Sequence, residues 1–273
     1  MDIGISCEIA DDVLVLFQHD DIIPFHMLTE DDITHLLNKM MRLPELNGYW
    51  GEVFLSNVSV HHAQRAASFL LARVEHAVNT HDWHYRPCNY GPYSHVPLRF
   101  RESPEIGRLL RQVSVWLQSR GKGTHLFMLR AGELFDAMFR PFDNELIGYL
   151  QDWIDGSTAA DMPIISQILS ESHPDFVFER QLFAVRFLEK AKQFGKEPLD
   201  DALSALFKSA IKGIKQGTPG EPFPQDIQLK EKAEKVMGGI SRFSPAHRLY
   251  EALKKHAEQG IEYSLQQREA LED

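Results

Sequence analysis

An all-α fold is predicted by three observations. Helix-start signals, a capping side chain followed by carboxylates or a proline, recur along the 273 residues. Behind each start the apolar residues fall three and four apart, the spacing of one helix face. No segment sustains the apolar-polar alternation of a half-buried strand, so no sheet is expected.

Thr29 precedes Glu30-Asp31-Asp32, a cap with an acidic first turn, and Ile33, Leu36, Leu37, Met40 and Met41 then share a face. Pro44 suits the first turn of a second helix, with Leu46, Tyr49, Trp50, Val53 and Phe54 inward. A third stripe, Ala63, Ala66, Ala67, Leu70, Val74 and Val78, runs to about Asn79. Ser103-Pro104-Glu105 opens the next helix, whose stripe is Ile106, Leu109, Leu110, Val113, Trp116 and Leu117, ending before Gly121 and Gly123. Thr124, Asp143 and Asp161 cap three more. His173-Pro174 breaks the chain ahead of a longer helix over 176–194, and another follows over 199–214. Asp226 is read as the cap of the next, after a rigid Pro- and Gly-rich loop in which Phe223 tucks under the turn. Ser244-Pro245 opens the last. Residues 1–28 are read as an irregular N-terminal cap, 29–262 as the helical domain, and 263–273 as a polar tail that frays.

The starts near 103, 124, 143, 161, 177 and 198 place every second one 34 to 40 residues apart. Two helices per unit at that period resembles the HEAT-like α-solenoids, best over 103–215 and loosely in the flanks. The resemblance implies a right-handed stack of antiparallel helix pairs (an α-α superhelix), each burying its apolar face against its neighbours. It implies no particular function. An irregular all-α bundle is the alternative.

Composition narrows the class. Forty-three per cent hydrophobic and 25% charged residues suit a folded core. Cys7 and Cys88 form no disulfide framework and fit a reducing compartment. No secretory signal and no membrane-length apolar run is read, so a soluble, cytoplasmic protein is expected. The net charge of −10 disfavours nonspecific binding to nucleic acid. That charge is uneven: residues 1–60 hold eleven acidic side chains against Lys39 and Arg42, whereas 83–123 hold seven basic ones against Glu102 and Glu105.

The distinctive stretch is the loop 80–102. Pro87, Pro92 and Pro97 exclude a helix, and Trp83, Tyr85, Tyr90, Tyr93 and Phe100 exclude a flexible linker. Three readings stay open: an ordered plug folded over the preceding helices; a contact surface for a partner, since Trp, Tyr and Arg dominate binding hot spots; or a metal site at His81, His84, Cys88 and His95. The last departs from the short ligand turns that zinc sites favour. Arg108 and Arg111 share a helix face, with Arg99 and Arg101 just before it. They form either a phosphate track, or a solvated face, or a face paired with the acidic residues of 1–60. No phosphate-loop, metalloprotease or nucleophile-elbow motif occurs.

The expected function is a non-enzymatic protein-interaction or scaffold module. Its contact residues are Trp83, Tyr85, Arg86, Tyr90, Tyr93, Arg99, Arg101, Arg108 and Arg111. The expected partner is another protein; no cofactor, metal or membrane is called for, and a place in a larger assembly stays open. The alternatives are a nucleic-acid-binding or nucleic-acid-processing helical repeat using the arginines at 99–111, and a metal-dependent enzyme at the loop histidines.

Overall fold

The computed structural model describes residues 25–46, 48–89, 94–120, 123–218 and 220–272. Most of the expected N-terminal cap, along with Tyr90 and Tyr93, lies outside them. The described residues are all-helical, with no strand among them. No helix among them is long and apolar enough to cross a membrane. The chain divides into two compact units between Leu146 and Ile147.

The first unit holds α1 (Glu30–Met40), α2 (Tyr49–His61), α3 (Ala63–Thr80), α4 (Ile106–Arg120) and α5 (His125–Phe139). Thr29 and Asp32 close a reciprocal capping box on α1: Asp32 N–H donates to Thr29 Oγ1 at 3.2 Å, and Thr29 N–H donates to Asp32 Oδ2 at 2.9 Å. Those Thr29 hydrogen bonds hold the Asp32 carboxyl below its usual range. Thr124 caps α5 by accepting from Phe127 N–H at 3.2 Å. α3 lies at the centre, packed against α1, α2, α4 and α5. Its small residues Ala63, Ala66, Ala67 and Ala77 allow that close approach, and Phe54, Leu70, Phe100, Leu109 and Phe135 fill the core.

Two expectations fail here for stated reasons. Pro44 does not start α2. Its carbonyl accepts from Arg86 N–H at 2.8 Å, tying this stretch to the 80–89 segment, and α2 begins after Gly48. Trp116 is half-buried rather than inward: its Nε1–H donates to Glu75 Oε1 at 2.9 Å, which keeps the indole at the edge of the stripe.

α6 (Asn144–Gly156) spans the boundary, opened by Asp143 Oδ1, which accepts from Leu146 N–H at 3.0 Å. The second unit then holds α7 (Met162–Ser170), the single turn α8 (Phe176–Glu179), α9 (Gln181–Gln193), α10 (Lys196–Ala210), α11 (Pro224–Met237) and α12 (Pro245–Glu272). The long helix expected over 176–194 is interrupted at Arg180, which leaves helical geometry at φ −112°, ψ 41°. α12 continues to Glu272 through the segment expected to fray. Its Tyr250 is fully buried and donates to Val177 O at 2.6 Å, fastening α12 to α8.

Asp226 is not the cap of α11 but a buried first-turn residue, because α11 starts two residues earlier at Pro224. Phe223 does pack under the preceding loop, against Gly217. The Asp226 carboxylate meets Lys215 and presses on α12 where that helix carries Gly260: a Cβ built there would lie 2.4 Å from Asp226 Oδ2. Gly148 of α6, by contrast, faces open space.

These two glycines should therefore respond oppositely to alanine. Gly148→Ala should stabilise by up to about 1 kcal/mol through helix propensity alone. Gly260→Ala should destabilise by about 1–3 kcal/mol, because the overpacking cost outweighs the same propensity gain. Thermal melts of the two variants check this, and equal shifts would show that the Asp226 contact carries no weight.

Candidate functional site

The loop after α3 is fixed at both ends by buried charges. His81 ends α3 in the left-handed region at φ 54°, and Asp82 N–H returns to Ala77 O at 3.0 Å. Asp82 Oδ1 then accepts from His84 N–H at 2.8 Å and Tyr85 N–H at 3.3 Å, turning the chain back along the helix.

From there the loop meets Arg73, which has no solvent exposure. Its Nε donates to Pro87 O at 2.9 Å and its Nη2 to Arg86 O at 2.5 Å. Its Nη1 donates to Met40 O and Leu43 O, both at 2.9 Å, and to the Tyr85 hydroxyl at 2.8 Å. Tyr85 in turn donates to Met41 O at 2.6 Å and lies with its ring 4.3 Å from the guanidinium carbon. Burial pushes the phenol pKa up, partly countered by Arg73.

Glu52 of α2 does the complementary work on backbone donors. It is 4% exposed; its Oε1 accepts from Asn89 Nδ2 at 2.6 Å, and its Oε2 accepts from His95 N–H at 2.6 Å and Val96 N–H at 2.8 Å. Ser59 Oγ takes Arg99 N–H at 2.8 Å. Carbonyls held by a cation and amides held by an anion tie the described parts of this loop, on either side of residues 90–93, to α2 and α3.

The expected contact residues divide accordingly. Tyr85 is removed from the contact surface, since it is buried against Arg73. Arg86 is half-buried, its backbone committed on both sides. Arg99 pairs with Glu102, Arg101 with Asp143 and Glu145, and Arg108 with Glu105 at 3.3 Å. Among the described residues, the carboxylates paired with Arg99, Arg101 and Arg108 thus lie within 102–145. Arg111 is exposed on α4.

The metal candidates are not brought together. His81, His84 and His95 are exposed whereas Cys88 is buried, and no group of three or more metal-ligating side chains forms among the described residues. Burial pushes the Cys88 thiol up to about 12.

Trp83 combines a fixed backbone with an open aromatic side chain. Its indole is 49% exposed and lies 5.9 Å from the His125 ring. Its carbonyl accepts from Arg130 Nη2 at 2.5 Å, and Arg130 Nη1 is paired with Glu133 at 2.8 Å, both residues buried. Sequence reasoning missed Arg73, Glu52 and the Arg130–Glu133 pair. The available signal was their position: each sits among residues of an apolar helix face, where a charge demands an internal partner.

The Cys88 thiol should be inert while the protein is folded. An ordinary cysteine titrates near about 8.5 and is partly thiolate at pH 8, but a group raised to about 12 is not. In a Cys7→Ser variant, a chromogenic disulfide reagent at pH 8 should react with one equivalent only after denaturant is added. Rapid reaction of the native protein would contradict the burial. Compared with known proteins, the chain matches no family model, no curated protein and no solved structure.

Proposed function

We propose that the chain is a protein-recognition module, non-enzymatic, whose contact is centred on Trp83 and the pinned segment around it. The observation that carries this reading is the half-exposed indole on a backbone fixed by a buried Arg130–Glu133 pair. A large aromatic held in place before binding loses little freedom on association, which is the property of interface hot spots. Arg86 belongs to the same segment, and the sequence adds Tyr90 and Tyr93 to the proposed contact.

The scaffold reading extends to the HEAT-like stack of antiparallel helix pairs. What supports it is that helices starting at Ile106, His125, Asn144, Met162, Gln181 and Lys196 keep every second start 34 to 38 residues apart. A cytoplasmic setting and a place in a larger assembly go with this reading. The nucleic-acid alternative loses its main support, since the carboxylates paired with Arg99, Arg101 and Arg108 answer their charge and the chain carries −10 overall.

The test is affinity capture from native lysate with mass-spectrometric identification, comparing wild type, Trp83→Ala and Arg108→Ala/Arg111→Ala. A specific protein partner should lose about tenfold or more in affinity on Trp83→Ala, at an unchanged melting temperature, and should tolerate the arginine changes. Salt-dependent capture of nucleic acid that the arginine variant abolishes would replace this reading with the phosphate track.

A further inference from the structure

In the second unit, the start of α8, the end of α10 and one face of α11 enclose a cavity of about 230 Å³. It shares Asp175, Phe178 and Lys232 with an adjoining cavity of about 570 Å³ along α11. We propose that this paired cavity binds a small organic anion with an apolar body, of the class of an aryl or short acyl carboxylate or phosphate ester. The proposal stands independently of the Trp83 reading.

The floor is apolar and incompletely covered: Phe178, Ile211 and Leu229 line it, and all three are only half-buried. Binding pockets for small organic molecules combine such a floor with a few placed polar groups. Here they include three lysines, Lys212, Lys215 and Lys232, set against the carboxylates of Asp175 and Asp226, and the lysines differ in how firmly they are committed.

Lys215 is fixed. Its Nζ lies 2.7 Å from Asp226 Oδ1 and donates to Oδ2 at 3.0 Å, and the Asp226 carboxylate is 1% exposed. Withdrawing the ammonium would strand a buried charge, so this pair forms a permanent wall. Lys212 is different. It lines the cavity and donates to Glu171 at 2.7 Å, and Lys208, outside the lining, lies 3.7 Å from the same carboxylate, so one acidic group answers two lysines.

Lys232 pairs with Asp175 at 2.6 Å, but that pair is 41% and 51% exposed, a surface contact readily exchanged for another anion. Its Nζ lies 5.8 Å from the Phe178 ring centre. An anion whose apolar body rests on Phe178 therefore meets Lys232 at once, with Lys212 also in the lining. His256 also lines the site; burial and the Lys215 charge lower its pKa, so the imidazole contributes a hydrogen bond rather than a charge at neutral pH.

Isothermal titration calorimetry on the full chain tests this with three probes: phenyl phosphate, inorganic phosphate and benzylamine. Phenyl phosphate should saturate one site. Inorganic phosphate, which lacks the ring, should bind at least about tenfold more weakly, and benzylamine should give no saturable heat. Lys212→Met combined with Lys232→Met should weaken phenyl phosphate by about tenfold or more, while Lys232→Arg should retain it; melting curves verify that each variant is folded. The proposal is overturned if phenyl phosphate gives no saturable heat, if inorganic phosphate or benzylamine binds as tightly, or if the folded double variant binds as wild type does.

Discussion

Arg73 sits on the apolar face of α3 with no exposure to water, and the segments around residues 40–44 and 85–87 converge on its donors. A guanidinium offers five N–H groups in a fixed plane, and burying it is costly unless those donors are answered. Here the answers come from backbone carbonyls of two segments far apart in sequence, at Met40 and Leu43 and again at Arg86 and Pro87. Hydrogen bonds to a charged group are worth about 1.5–3 kcal/mol each when buried, although they do not simply add. The consequence is mutual dependence: the loop has no helix of its own to satisfy these carbonyls, and the arginine has no water to fall back on. Glu52 repeats the logic with opposite sign at His95 and Val96.

Under the proposed function, this arrangement connects stability to recognition. A loop of this length needs contacts from outside itself to hold one conformation. Fixed by Arg73 and Glu52, it delivers Trp83 to the surface in one orientation, with Arg130 holding its carbonyl. Under the proposed function, the residues that position the contact are buried, and Trp83, the residue offered to a partner, is not. Under the proposed function, changes at Arg73 or Glu52 act on binding at a distance, through the backbone of the loop.

Local signals were legible in the sequence where chemistry is local. Thr29 with Asp32, Thr124 and Asp143 each announced a helix start, and each side chain makes the hydrogen bond that reading required. Failures came where a distant residue decided the outcome. Pro44 has the form of a helix-opening residue, but its carbonyl is claimed by Arg86. Asp226 reads as a cap, but it is drawn inward to Lys215 and the Gly260 face. Tyr85 reads as an exposed binding aromatic, but its hydroxyl bridges Arg73 and Met41. None of these pairings has a sequence period, because each joins a side chain to backbone in another segment. The apolar spacing of Leu70, Val74 and Ala77 was visible; that Arg73 lies within it and is buried there depends on carbonyls more than ten residues away on either side.

The most direct measurement of the central claim is amide hydrogen exchange across residues 84–102 in wild type and Arg73→Met. If Arg73 holds the loop, the Arg86, His95 and Val96 amides should exchange slowly in wild type, protected to a degree comparable with α3. In the variant the protection of Arg86 should fall furthest, while the α5 amides stay protected. Fast exchange of these three amides in the wild-type protein, or full protection retained without the guanidinium, would contradict the account.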